Sequence, residues 1–305
     1  MRSWTKHVTE QLRVGTFDHD NIISNRNELK ERLAPYYRVN ESLLRAELQK
    51  SFVQLQPDSA VINFINTTPK RDMLRSAACY VAKWFYSKTD SLGLFGFGRM
   101  HVLSTNTTRH LLQRCNVEPV DGKYGNLLDI GAGCGTVTDC LAPLFNHVIT
   151  TETSHYMANS LRERGYECVE TLDPCTSEII TKTKFNVITL FNVLDRCSHP
   201  ISLLKTCKRI MTQHDGGCLL ILAVVFPFRP YVEDGIDNVD PEEKIILGKN
   251  LPWEMSVNLF AEKVLGKIGF KVLTVSKSPY VSEGDYEKDF YCITDAVFVV
   301  EVKKD

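Results

Sequence analysis

The sequence has almost no net charge: 36 Lys and Arg stand against 37 Asp and Glu over 305 residues, leaving −1. A polyanion binder needs a basic excess, so composition makes no electrostatic case for nucleic acid as a partner. Local clusters such as Lys70-Arg71 read as a solvated face. Long apolar runs are also missing. None approaches the length of a membrane span, and Met1-Arg-Ser-Trp-Thr-Lys-His7 carries no apolar signal core. The expectation is an intracellular chain, cytoplasmic by default. The ten cysteines are scattered without a CxxC pair or a Cys/His cluster, which supports neither a metal site nor a disulfide framework. Most sit in apolar patterns, where a thiol acts as a small buried hydrophobe. There are no internal repeats or low-complexity tracts. What is present is an ordinary globular composition, 43% hydrophobic and 24% charged, long enough for one large domain or a domain with an appendage.

The most informative stretch is Asn126-Leu-Leu-Asp-Ile-Gly-Ala-Gly-Cys-Gly-Thr136. A buried-type strand runs into glycines at alternate positions, Gly131, Gly133 and Gly135, and a helical pattern follows. Glycines so spaced let the backbone turn tightly and approach a ligand closely. A dinucleotide fingerprint needs a further glycine where Thr136 stands, so the nicotinamide pattern fails. The run resembles motif I of the class I S-adenosylmethionine (SAM)-dependent methyltransferases, in which an acid such as Asp129 precedes the glycines. Glu152 ends the next strand-like run, where a carboxylate can accept hydrogen bonds from both hydroxyls of a ribose. Together these residues point to SAM as cofactor.

From residue 126 onward the periodicity alternates strand and helix, the signature of a parallel α/β sheet. Strands are expected at 126–130, 147–151, 167–170, 185–191 and 217–226, and helices near 136–144, 154–164, 199–212 and 255–268. Lys271–Ser276 and Ala296–Val302 have no helix between them, which predicts an antiparallel C-terminal hairpin. Residues 1–40 read as irregular or partly helical. Asn40 is placed to cap a helix carrying Leu44, Leu48 and Phe52, and Thr68-Pro69 to open another with Met73, Ala77, Val81 and Trp84 on one face. The division expected is an N-terminal helical extension with a lid loop, residues 1–115, followed by the main domain, 116–305. Ser91–Met100, with three glycines among Leu94, Phe95 and Phe97, is either a plain loop or a lid over the site.

Ligands in open α/β sheets sit beyond the carboxyl ends of the strands. The fourth strand ends at Phe191-Asn192-Val-Leu-Asp195-Arg-Cys197, which puts Asn192 and Asp195 at the mouth. On the residues alone, Asn192 is equally a turn residue and Asp195 a helix cap. Phe226-Pro-Phe-Arg-Pro-Tyr231 reads as packing or as a shelf for a peptide, and Val232–Trp253 as a long insertion that folds over the substrate.

Asn192-Val-Leu-Asp195-Arg-Cys, Pro227-Phe-Arg-Pro-Tyr-Val-Glu233, Pro279-Tyr280 with Glu283-Gly284-Asp285, and Asp295-Ala-Val-Phe298 resemble the methyltransferase-like protein 9 (DREV) family, from roughly Leu92 to Val302. The resemblance implies an α/β, class I SAM-dependent methyltransferase: a Rossmann-like, mostly parallel seven-stranded sheet with the antiparallel hairpin. It implies a protein-histidine N-pros-methyltransferase whose protein or peptide substrates carry His-x-His motifs with a small middle residue. By position, Glu152, Asn192 and Tyr280 match cofactor contacts, Asp195 matches the acid beside the target imidazole, and Gly131, Gly133 and Gly135 match the methionine-binding loop. Two residues depart from the pattern. Cys134 replaces an acid between the second and third glycines, and Arg229 stands where His is familiar, which bears on peptide preference. Family members have been linked to the endoplasmic reticulum and mitochondria, an association that the resemblance leaves open. The alternatives are a class I methyltransferase acting on a small amine, a lipid or a nucleic-acid base, and a SAM-binding scaffold without catalysis.

Overall fold

The computed structural model describes residues 15–17, 26–68, 73–82, 84–214, 217–235, 237–284 and 290–303. Strands β1 (Gly15–Phe17), β2 (Met100–His101), β3 (Asn126–Ile130), β4 (His147–Glu152), β5 (Glu167–Glu170), β6 (Val187–Phe191), β7 (Leu219–Val225), β8 (Val232–Asp234), β9 (Asp237–Val239), β10 (Phe270–Glu283) and β11 (Phe290–Val302) alternate with helices. The helices are α1 (Arg26–Leu33), α2 (Ala46–Ser51), α3 (Ser59–Thr67), α4 (Met73–Ala82), α5 (Lys88–Leu94), α6 (Thr105–Arg114), α7 (Thr136–Leu141), α8 (His155–Glu163), α9 (Glu178–Lys182), α10 (Pro200–Thr212) and α11 (Trp253–Phe260).

The main sheet runs β2-β10-β11-β7-β6-β3-β4-β5. Pairings β4/β5, β3/β4, β3/β6 and β6/β7 are parallel, whereas β11 is antiparallel to both β7 and β10. The order reverses between β3 and β6, which opens a crevice at the carboxyl ends of those strands. Buried on both faces, the central strands are mostly apolar, and β7, Leu219–Val225, is apolar and buried at every position. Alternate residues feed two cores. Leu128, Ile188, Leu220, Leu222 and Phe298 pack with Leu204, Ile210 and Phe260 on one face. Leu127, Val187, Ile221 and Val299 pack with Val61, Ile65, Leu111 and Leu141 on the other.

The hairpin is present but longer than expected, so that Tyr280 and Asp295 both lie inside its strands. Two strands not expected from the sequence extend the sheet: β2 joins the β10 edge and β1 pairs with Phe290–Cys292. The N-terminal region corrects two expectations. Asn40 caps no helix; its side chain accepts from Ser42 Oγ at 2.7 Å, a 3-10 turn covers Glu41–Leu43, and Leu44 is extended before α2. Leu44 and Leu48 are nonetheless buried, and Phe52 leaves the helix to form a bridge with Val275. Thr68 ends a helix instead of starting one: α3 is capped by Asp58, which accepts from the N–H groups of Ala60 and Val61. Residues 69–72 lie outside the described residues. In α4 the buried face is Ser76, Cys79 and Ala82; Ala77 and Val81 face outward and Trp84 lies beyond the helix, exposed. The helical period holds there, but the buried face is a different one.

Candidate active site

The glycine loop connects β3 to α7. Gly131, Gly133 and Gly135 have φ of 68°, 58° and 85°, a left-handed region that costs other residues energy. A Cβ on Gly131 would come within 2.5 Å of Val193 Cγ2, so the loop and the Asn192–Asp195 turn are in direct contact. Gly133 leaves room beneath Met100, whose Cε would be 3.1 Å from an added Cβ, and its N–H donates to Glu152 Oε2 at 2.8 Å. Glu152 Oε1 accepts from the N–H groups of Thr153 (2.7 Å) and Ser154 (3.1 Å). A carboxylate has about four acceptor positions, so Oε2 keeps capacity for a ligand hydroxyl.

Asp129 is tied into the protein itself. Its two oxygens accept from Thr138 and Thr189 hydroxyls, each at 2.7 Å. Burial raises its carboxyl to about 6; the charge of Glu152 adds to the rise and the two hydroxyls oppose it. From this position it braces the base of the loop, joining β3 to α7 and β6.

The segment read as loop or lid is half helix. It comprises α5 and a turn leading into β2, and it is strapped across the glycine loop. Ser154 Oγ donates to Asp90 Oδ1 at 2.5 Å, Cys134 Sγ donates to the Gly98 carbonyl at 3.2 Å, and Met100 N–H donates to Thr136 Oγ1 at 3.0 Å. Cys134, where the resemblance leads one to expect an acid, thus bonds the strap to the loop. Tyr280 Oη lies 2.7 Å from Met100 Sδ.

At the end of β6 the chain turns through Asn192, which has φ of 57°. Its Nδ2 donates to Asp295 Oδ2 at 2.9 Å. Asp195 is buried; its Oδ2 pairs with Arg196 Nη1 at 2.5 Å. Asp295 has no solvent exposure, sits in the middle of β11, and uses its backbone carbonyl to accept from Trp253 Nε1. Burial pushes both carboxyls upward. Arg196 opposes the rise at Asp195, while at Asp295 the Asn192 bond opposes it and the charge of Asp195 adds to it. Tyr280 is raised chiefly by burial and then by the charge of Asp295. Of the two carboxyls, only Asp195 is paired with a guanidinium; Asp295 is held by the Asn192 amide. Three oxygens in this group, Asn192 Oδ1, Asp195 Oδ1 and Asp295 Oδ1, are buried without a hydrogen-bond partner. Unpartnered buried acceptors are costly, and such a cluster calls for a donor-bearing ligand.

The Pro227–Tyr231 segment closes on this turn. Tyr231 N–H donates to the Asp195 carbonyl at 3.0 Å, and the Arg196 guanidinium lies 4.0 Å from the Tyr231 ring centroid. The β8/β9 hairpin of the insertion then reaches α5, where Glu233 Oε2 accepts from Thr89 N–H at 2.9 Å. Thus the structure brings Asn192, Asp195 and Tyr280 together at one centre, with Glu152 and the glycines alongside it through Gly133 and Val193. Sequence alone assigns no role to Arg196, Tyr231, Met100 or Asp295. Asp295 carries a signal, as the one charged residue of the largely apolar run from Cys292 to Val300; the other three become apparent only through contact.

The residues fit SAM. The bare Asn192 and Asp295 oxygens and Glu152 Oε2 are acceptors, matching a cofactor whose amino group and ribose hydroxyls are donors, and the Gly131–Gly135 backbone permits close approach. The sheet order, the glycine loop and the strand-end acid define a class I SAM-dependent methyltransferase. The sequence model of the family described as DREV methyltransferase matches residues 36–302, most of the chain. The chain belongs to the DREV methyltransferase family, and SAM is its methyl donor. Among solved structures it is similar to a SAM-dependent methyltransferase of Anabaena variabilis at 14% identity and TM-score 0.45, covering 78% of this chain and 98% of that one. It is also similar to a SAM-dependent methyltransferase of Clostridium acetobutylicum at 14% identity and TM-score 0.40, covering 66% and 91%. A third, from Leishmania major, shows 11% identity and TM-score 0.38, covering 79% and 82%. Among the described residues, no helix is long and apolar enough to cross a membrane.

Proposed function

We propose that this methyltransferase acts on histidine in His-x-His segments of proteins, with a small middle residue, and methylates the pros nitrogen. The observation that carries this reading is Asp195: a buried carboxylate with Oδ2 held by Arg196 and Oδ1 bare. A neutral imidazole, with an ordinary pKa of about 6.5, already has a free lone pair near neutral pH and needs no strong base. It does need the right tautomer. Asp195 Oδ1 accepts the tele N–H, leaving the pros nitrogen unprotonated. As the ring becomes cationic, the Asp195 charge stabilises it and then takes up the tele proton.

SAM supplies, when bound, a methyl group activated by its sulfonium. Positioning provides much of the remaining rate. Asn192, anchored to Asp295, and Tyr280, resting on Met100, hold the cofactor's reactive end. Glu152 accepts from the ribose hydroxyls, and Gly131, Gly133 and Gly135 line the methionine moiety. The Pro227–Tyr231 shelf, fixed to Asp195 through Tyr231 N–H, borders the peptide, with Arg229 adjusting its preference.

Incubation of the purified protein with SAM and a short His-Ala-His peptide tests this reading by mass spectrometry. A gain of one methyl on histidine is expected, absent from a control peptide with both histidines replaced by alanine. NMR of the product then identifies the nitrogen. No gain, with SAM binding demonstrated, refutes the reading for that context and moves the search to other nucleophiles.

A further inference from the structure

Asp195 faces an electrostatic problem that the reaction does not solve. Its side chain is 5% exposed, and burial favours the neutral acid. Of the groups that face it from the packed elements, Asp295 on β11 and Glu233 on β8 are further carboxyls, coupled to Asp195 and to its guanidinium partner respectively, while Tyr280 on β10 and Cys197 in the same turn are pushed upward by burial and stay neutral near neutral pH. A protonated Asp195 could neither accept the tele N–H strongly nor stabilise a cationic ring. One cation, Arg196, opposes the effect of burial on Asp195. Arg196 Nη1 contacts Asp195 Oδ2 at 2.5 Å and donates to the Asp195 backbone carbonyl at 2.7 Å.

A long side chain at 41% exposure would ordinarily lose such a contact to solvent and rotamer freedom. Here two further interactions hold it. The guanidinium sits over the Tyr231 ring at 4.0 Å, and Tyr231 N–H donates to the same Asp195 carbonyl that Arg196 uses. The clamp therefore closes around one residue from two chain segments, and it binds Oδ2 alone, leaving Oδ1 without a partner.

We propose that Arg196, clamped between Asp195 and the Tyr231 ring, is a positioning residue that keeps Asp195 ionised and reserves its Oδ1 for the incoming N–H donor. The kinetic part rests on the role given to Asp195 above; the ionisation part does not. Because the shelf supplies Tyr231, the charge of the acid also depends on how the peptide-binding segment is seated.

Two measurements separate these parts. Carboxyl carbon NMR on protein labelled at aspartate, without substrate, follows Asp195, whose signal is identified by its loss in Asp195→Asn. In Arg196→Met the midpoint is expected to rise by about one pH unit or more. A smaller rise is expected in Tyr231→Leu, where the guanidinium loses its platform, and in Arg196→Lys, which keeps the charge but cannot stack in the same way. In parallel, the acidic limb of the kcat/KM profile for the His-Ala-His peptide should move up with the NMR midpoint. A midpoint that rises from one pH to the next whole pH value lowers the rate below the limb about tenfold. SAM binding serves as the folding control, and if Arg196→Met does not fold, Arg196→Lys and Tyr231→Leu carry the test. An unchanged Asp195 midpoint in the folded variants overturns the proposal. A raised midpoint in a protein that methylates no histidine upholds the clamp and refutes only the histidine reading.

Discussion

Substituting Gly131 by alanine tests whether the glycine loop and the Asn192–Asp195 turn form one mechanical unit. Two costs arise. At φ of 68° an alanine sits in the left-handed region, which costs about 1–2 kcal/mol. Its Cβ would also lie 2.5 Å from Val193 Cγ2, and overpacking of that kind costs about 1–3 kcal/mol. For a chain of this size the sum lowers Tm by on the order of 10 °C. Gly165 is the internal control: its φ is 86°, but nothing lies within 4 Å of an added Cβ, so Gly165→Ala incurs only the backbone cost. The excess in Gly131→Ala is the contact contribution, and Val193→Ala in the same chain should recover most of it. Val193 sits between Asn192 and Asp195, so kcat should fall in Gly131→Ala and partly return in the double variant. Calorimetric melting and methyl transfer read both effects. Equal losses of Tm in Gly131→Ala and Gly165→Ala, or no recovery in the double variant, would refute the coupling.

Two further predictions concern the buried carboxylates. Asp195→Asn should lower kcat by on the order of 10³-fold while SAM affinity stays within a few fold; retained turnover would remove Asp195 from the chemistry. Asp129 has a folded-state pKa raised to about 6 from 3.8, so its contribution to stability is fully present below the unfolded value and is lost as pH rises through about 6. That loss amounts to about 3 kcal/mol. Urea unfolding at a series of pH values should therefore show a decline between about pH 4 and 6 in the native protein that is weaker in Asp129→Asn. Parallel curves for the two proteins would assign the pH dependence elsewhere.

What is legible in the sequence is local. The Leu127–Ile130 run, the alternate glycines, Glu152 at a strand end and Asn192 with Asp195 past the fourth strand follow from periodicity and backbone stereochemistry, which depend on near neighbours. The parallel strands are recognisable because strands buried on both faces read as near-continuous apolar runs. The same logic locates the antiparallel hairpin, from the absence of a helix between its strands.

Tertiary contact decides the rest. The period of α4 is evident, but which side is buried depends on the neighbouring surface, and Ala77 and Val81 turn outward. Asn40 has the chemistry of a cap, yet its backbone N–H is taken by Glu254 Oε1 at 2.8 Å and its side chain by Ser42, and only a 3-10 turn, not an α-helix, begins there. β1 and β2 are too short to announce themselves and exist because β11 and β10 offer unpaired backbone. Most of the site's electrostatics is of this kind: Asp195, Tyr231 and Asp295 lie far apart in sequence, and the clamp of Arg196 between Asp195 and Tyr231, like the bond from Asn192 to Asp295, exists only once the sheet brings them together. Residue types and backbone preferences are encoded locally, whereas burial and charge balance are properties of the assembled interior.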